Sequence, residues 1–307
     1  MKPTPSISRR SALRRTAGAA AFAATTAGLH HRIKAAEESL AAAGLKGNVN
    51  HSACKWCYKK IPLEDFCVAA NEIGLQSVEL LNPPDFPTLK KHNLHCAMVS
   101  FPTGEAPDGT KVGGIPNAFN RPEYHDTLVE IYKPHLKASA DAGFTNVICF
   151  SGNRNGMDDE QGLENCVTGL KKILPLAEKQ NITLCMELLN SKVNHKDYMC
   201  DTSNWGVELC KRLDSENFKL LYDIYHMQIM EGDVIATIRE KHPYFAHYHT
   251  GGVPGRAEID DTQELNYPAI IKAVLETGYD GFIGQEFIPA RDDKLASLKQ
   301  GVEICDV

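Results

Sequence analysis

Residues 219–241 read Lys-Leu-Leu-Tyr-Asp-Ile-Tyr-His-Met-Gln-Ile-Met-Glu-Gly-Asp-Val-Ile-Ala-Thr-Ile-Arg-Glu-Lys. An apolar run of strand length, Lys219–Tyr225, precedes apolar residues at helical spacing over Val234–Lys241, so this stretch predicts one strand and one helix. The unit recurs in both directions. Toward the N-terminus, Ile182–Asn190 precedes a helix over Trp205–Leu213, and Asn146–Ser151 precedes Gly162–Lys179. Further back, Val49–Cys57 precedes a helix from Pro62-Leu-Glu64 to Ile73, Ser77–Leu81 precedes a short helix near Phe86–His92, and His95–Phe101 precedes a long loop. Toward the C-terminus, Phe245–Thr250 precedes Tyr267–Thr277, and Phe282–Ile288 precedes Lys294–Cys305. Gly74, Gly143 and Gly278 each stand just past a predicted helix end, where a left-handed cap is needed. Eight such units in about 260 residues predict an α/β fold, a (β/α)8 TIM barrel, whose strands are buried on both faces and read as unbroken apolar runs. An open doubly wound sheet is the alternative, but no Gly-x-Gly-x-x-Gly follows the first strand.

The chain has 307 residues, 43% hydrophobic and 23% charged, which excludes disorder, collagen and coiled coil. Its bases are unevenly placed: residues 1–36 hold Lys2, Arg9, Arg10, Arg14, Arg15, Arg32 and Lys34 and no acid. The other 26 of the 33 bases face 39 acids, a net charge of −13. So acidic a body, with no basic stripe, is a poor partner for nucleic acid. Paired Arg9 and Arg10 before the mild Ala-rich stretch Thr16–Leu29 resemble a twin-arginine export signal. The expected organisation is an export signal over residues 1–36 and one catalytic barrel over residues 47–307. The expected location is periplasmic, or cytoplasmic if the arginine pair is not an address. No stable membrane insertion is expected after signal removal, because the body has no run of 18 apolar residues. A homo-oligomer is compatible with this reading.

Ten cysteines in an exported chain raise the question of a disulfide framework, but a body this long has core enough without one. Cys149 and Cys185 sit within apolar runs and read as small buried hydrophobes. Cys54-Lys-Trp-Cys57 has redox spacing, but it falls in a strand-like stretch without a second pair, and a structural role is expected.

In a barrel, chemistry belongs at the C-terminal ends of the strands. Four consecutive runs end in unusual polar residues: Glu187 and Asn190; Asp223, His226 and Gln228; His247 and His249; then Glu286. A carboxylate in an apolar strand is costly unless paired or bound to metal. Converging carboxylates also repel one another unless a cation sits among them. Carboxylates with imidazole suit one divalent ion, Mn²⁺, Mg²⁺ or Co²⁺, with Zn²⁺ also compatible. His247, next but one to His249, is expected to face away from the interior as a packed outer-layer residue. His51 and Trp56, on the first run, are candidates to reach the pocket.

The pieces Glu187-Leu-Leu-Asn190, Asp223-Ile-Tyr-His226-Met-Gln228, His247-Tyr-His249, Pro254-Gly-Arg256-Ala-Glu258, Glu264-Leu-Asn-Tyr-Pro268 and Gly284-Gln-Glu286 resemble the hydroxypyruvate isomerase group. That group belongs to the xylose isomerase-like sugar isomerase and epimerase TIM barrels, which are related to D-tagatose 3-epimerase. The resemblance spans residues 146–290 and implies that Glu187, Asp223, His249 and Glu286 are metal ligands. It implies that Glu187 and Glu286 are also the proton-transfer pair, and that His226 and Arg256 touch substrate. Glu258, His51 and Trp56 complete the expected substrate-binding set. His249 stands where the hydroxypyruvate isomerases tend to carry Gln, and in this it resembles the ketose epimerases. The stretch Ser191–Tyr198 departs from both, where substrate selection is expected.

The expected activity is that of a metal-dependent isomerase acting on a small keto or aldehyde compound. A divalent cation stabilises the enediolate as a Lewis acid, and two carboxylates share the proton transfers. Arg256 could hold a substrate carboxylate in a bidentate pair, or instead an ion pair with Glu258. A ketose 3-epimerase is the alternative. An inosose dehydratase-like lyase, an apurinic endonuclease and a noncatalytic sugar-binding protein rank lower; the acidic body disfavours a nuclease, and the retention of both carboxylates disfavours a binding protein. The expected partner is a small keto-sugar or keto-acid.

Overall fold

The computed structural model describes residues 43–307; the proposed export signal lies outside the described residues. The main strands are β1 (Asn50–Cys54), β2 (Ser77–Glu79), β5 (Asn146–Cys149), β6 (Thr183–Glu187), β7 (Phe218–Asp223), β8 (Phe245–Thr250) and β9 (Phe282–Gln285). They form one parallel sheet in the order β2-β1-β9-β8-β7-β6-β5. A small antiparallel hairpin, β3 (Gly104–Glu105) and β4 (Lys111–Val112), sits in the long loop after the third apolar run.

That third run closes the sheet without being a regular strand. His95 bridges Ser77, while Val99 bridges both Leu81 and Val147, all in parallel sense. Val99 receives the Ile148 amide at 3.0 Å and donates its own to Asn146 at 2.9 Å. The result is the expected (β/α)8 TIM barrel, with eight staves around one core. Strand interiors such as Leu184, Met186, Leu220 and Tyr222 are fully buried, as a parallel sheet covered by helices requires. Gly74 and Gly143 take φ of 92° and 80° and cap their helices by their own backbone amides. No helix among the described residues is long and apolar enough to cross a membrane.

Two local differences from the sequence reading shape the site. The first strand stops at Cys54, and Lys55–Tyr58 turns into one 3-10 turn that carries Trp56 inward. The sixth stave stops at Asp223, where an additional helix, Ile224–Met230, begins. Asp223 is its N-cap, accepting the His226 amide at 3.0 Å, so the three-residue spacing between them is that of a cap. All ten cysteines are free thiols, and nine of them are buried.

Candidate active site

Strand register brings the four polar strand ends together. Asp223 on β7 pairs with His249 on β8, and His249 pairs with Gly284 on β9, two residues before Glu286. Glu187 ends β6 and sits one stave away. Ligand atoms of Glu187, Asp223, His249 and Glu286 all lie within 4.8 Å of one another, and the four residues are buried. His249 Nδ1 is 2.9 Å from Glu286 Oε2 and 3.8 Å from Glu187 Oε1.

Three carboxyl groups in so small a buried space must be neutralised. Arg256 supplies one positive charge: its Nη2 donates to Glu286 Oε2 at 2.6 Å and to Asp223 Oδ2 at 3.3 Å. Its guanidinium carbon stands 5.3 Å from the ring centres of both Trp56 and Tyr225, a cation held between two aromatic faces. Trp56 Nε1 donates to the other Glu286 oxygen at 2.7 Å.

These contacts push the acids apart. Burial raises Glu187, and the negative charge of Glu286 raises it further. Burial acts on Glu286 in the same sense, but the positive charges of His249 and Arg256 outweigh it and hold this carboxyl well below its usual value. Asp223 is pushed up to about 8 by burial, against the pull of Arg256. Burial holds His226 well below its ordinary value, and Arg256 adds to this, so its ring is neutral.

The remaining expected residues are placed as follows. His226 is fully buried; its Nδ1 accepts from the Asn190 side chain at 2.6 Å, and its Nε2, 3.6 Å from Asp223, has no hydrogen-bond partner. Trp56 and Arg256 line the cavity described below. Arg256 forms its ion pairs with Asp223 and Glu286, not with Glu258. Glu258 turns elsewhere: its carboxylate accepts the amides of Ala290 and Arg291 and the Ser297 hydroxyl, fixing the loop after β9. His51 does not join the cluster. It faces Asp306 at 3.8 Å on the opposite side of its strand from Cys54, and burial lowers its pKa to about 4.

His247 corrects the expectation most directly. Its Nε2 is 3.0 Å from Glu79 Oε2, and His249 Nε2 is 3.1 Å from Glu79 Oε1, so both rings point into the barrel. Residues two apart on a strand share a face, which is the physical reason the outer-layer placement fails. Glu79 itself was missed. It was legible by the rule that singled out the others, as a carboxylate inside the apolar run Ser77-Val-Glu-Leu-Leu81.

A cavity of about 400 Å³ opens above the cluster. Glu187, Glu286, Arg256 and His195 form its polar side; His195 comes from the stretch expected to select substrate. Leu80, Phe101, Ile115, Phe150 and Leu189 form an apolar side that the sequence did not reveal, since these residues come from five separate segments.

The four converging residues fit a divalent cation. Glu187 Oε1 and His249 Nδ1 are buried polar atoms with no hydrogen-bond partner, and they lie beside oxygens of Asp223 and Glu286. A hard cation bound by three carboxylates and one imidazole would satisfy all of them.

Comparison with known proteins agrees with this architecture. Residues 68–305 match the family model described as xylose isomerase-like TIM barrel. A 2-oxo-tetronate isomerase of Cupriavidus necator is 35% identical over 113 residues, 37% of this chain and 43% of that protein. A human protein named "Putative hydroxypyruvate isomerase" is 33% identical over 117 residues, 38% of this chain and 42% of that protein. These matched segments thus span less than half of either relative. Among solved structures, one titled AP endonuclease, family 2, from Brucella melitensis superposes with a TM-score of 0.71 at 27% identity, covering 83% of this chain and 99% of that one. A D-psicose 3-epimerase from Clostridium cellulolyticum H10 has a TM-score of 0.65 at 18% identity, covering 84% of this chain and all of the other, and shares the fold. With a family model matched over most of its length, the chain belongs to the xylose isomerase-like TIM barrel family.

Proposed function

We propose that the protein is a divalent-cation-dependent isomerase of a small 2-hydroxy-carbonyl compound, a keto-acid or short sugar, working by proton transfer through an enediolate. The observation that carries this reading is the convergence of Glu187 and Glu286 on one buried cluster with their acidities pushed in opposite directions. Two carboxyl groups with separated pKa values are suited to serve as acid and base. Glu286, ionised beside Arg256, takes the proton from the carbon next to the carbonyl. Glu187, the more easily protonated, returns one to the adjacent carbon. A cation among these side chains, Mn²⁺, Mg²⁺ or Co²⁺ by the hardness of the donors, supplies Lewis-acid stabilisation of developing negative charge. His226 offers an unpartnered Nε2–H to a substrate oxygen, and the apolar wall excludes water from the reacting carbons. The names of the matched isomerases support the same class.

A second reading, epimerisation of a ketose, is favoured by the cavity. A volume of about 400 Å³ exceeds what a three-carbon acid would fill. The test of both is incubation in deuterated water with hydroxypyruvate, 2-oxo-tetronate and a panel of ketoses. Isomerisation moves the carbonyl, epimerisation inverts one carbon, and both leave deuterium beside the carbonyl. Absence of deuterium from every converted substrate overturns the proton-transfer reading.

We also propose that the chain is exported by the twin-arginine route, supported by Arg9, Arg10 and the acid-free residues 1–36.

A further inference from the structure

We propose that Glu79 is the positioning residue for His249, reaching across the barrel to accept the Nε2–H of that ring and so keeping Nδ1 aimed at the carboxylate cluster. Glu79 ends β2, three places from β8 in the sheet order. It is fully buried, and its Oε1 meets both imidazoles, at 3.1 Å from His249 Nε2 and 3.1 Å from His247 Nε2, while Oε2 lies 3.0 Å from His247 Nε2 without a hydrogen bond. An ionised carboxylate only accepts, so each ring must present an N–H to it. With its Nε2–H fixed on Glu79, the ring leaves Nδ1 to the cluster, and that nitrogen offers a lone pair to a cation once its own proton leaves. In this structure Nδ1 is the nitrogen beside Glu286 and Glu187.

The barrel is built around this contact. A Cβ at position 284 would lie 1.9 Å from Glu79 Oε1 and 2.8 Å from His249 Cδ2, so Gly284 is the clearance through which the carboxylate meets the ring. The Cys54 thiol also donates to Glu79 Oε1, at 3.4 Å. His247 Nε2 holds the same carboxylate, within 3.1 Å of both its oxygens, which gives that histidine a role in the interior. With every member buried, no water competes for these bonds, and the ring cannot turn over without stranding a polar group. Carboxylates that hold a metal-binding histidine in this way typically contribute 10- to 100-fold in metal affinity.

The inference rests on the cation reading only for its second readout. The first is long-range proton–nitrogen correlation spectroscopy of histidine-labelled full-length protein, metal-free and loaded with diamagnetic Zn²⁺. His249 should keep a downfield, exchange-protected Nε2–H in both states. Glu79→Leu should lose that signature and bind Zn²⁺ and Mn²⁺ 10- to 100-fold more weakly by calorimetry. Glu79→Gln, which still offers an amide oxygen, should retain the Nε2–H and lose less than 10-fold. A purely structural role would lower the melting temperature of all variants and leave the ring's protonation pattern intact. A parent His249 without a proton on Nε2 overturns the proposal, and this measurement needs no variant to fold. So does a Glu79→Leu protein with parental affinity and an unchanged Nε2–H. A preserved Nε2–H signature with no cation binding to the parent supports the positioning of the ring and sinks the cation reading instead.

Discussion

Arg256 and Glu286 form a buried pair at 2.6 Å on the carboxylate that the proposed chemistry needs ionised. The same guanidinium also reaches Asp223, so one side chain neutralises two acids. Replacing it with Met leaves the buried Glu286 without its guanidinium partner. In the metal-free protein this should cost about 3–5 kcal/mol, the usual penalty for breaking a buried pair from one side. Mn²⁺ should recover much of the loss by taking over the neutralisation. Denaturant melts with and without Mn²⁺ check this, and an Arg256→Met protein as stable as its parent in chelator would contradict the pairing. The acid limb of kcat/KM should also move to higher pH, because Glu286 loses a positive neighbour.

Chelation should abolish activity, and Mn²⁺, Mg²⁺ or Co²⁺ should restore it. About one ion per chain is expected, and Asp223→Ala should lose it. Metal analysis of purified parent and variant settles the point; equal content in both would remove Asp223 from the ligand set.

Glu187→Gln and Glu286→Gln each retain an oxygen for the metal but cannot carry a proton. Each should lower kcat by roughly 10² to 10⁴ with little loss of bound metal. Their isotope behaviour should differ. With Glu286 acting as base, Glu187→Gln should still exchange substrate deuterium while failing to complete turnover, whereas Glu286→Gln should do neither. If the Glu286→Gln protein ran at the parental rate, that residue would have no place in the mechanism.

Asp223 connects the site to stability. Its carboxyl is raised to about 8 in the fold by burial, so the folded metal-free chain holds a proton that the unfolded chain releases near pH 4. The stabilisation is full below that value and is lost progressively as pH rises toward 8. The buried neutral histidines His226 and His51 contribute the opposite slope, which ends near pH 6.5. Between pH 6.5 and 8 the melting temperature of metal-free protein should therefore fall, and Asp223→Asn should lessen that fall, leaving the part that His249, also held above its ordinary value, contributes. Cation affinity should rise over the same interval, since the ion must displace the proton. A metal-free protein whose melting temperature is constant or rising across this interval would argue against a protonated Asp223.

Export has a separate test. Replacing Arg9 and Arg10 with Lys should leave the precursor in the cytoplasm, as seen by cell fractionation. Mature protein outside the cytoplasm in that variant would mean that the arginine pair is not the address.

The eight-unit rhythm and the four polar strand ends were legible in the sequence by itself. A parallel strand buried on both faces is an apolar run, and a lone carboxylate or imidazole at its end stands out against that background whatever the rest of the chain does. The local pattern also located His226, because Asp223 caps the turn that presents it. What side chains meet across the barrel was decided only by tertiary structure. Arg256 and Glu258, two residues apart, go to different partners because the loop between β8 and the following helix turns one inward and the other toward Ala290 and Ser297. His51 lies on the far side of β1 from the cluster, which strand alternation permits but sequence alone did not orient. Glu79 meets His249 across two intervening strands, with Gly284 giving way between them. Such contacts depend on closure and register, which are properties of the whole sheet: a one-residue slip would send each of these side chains to the other face.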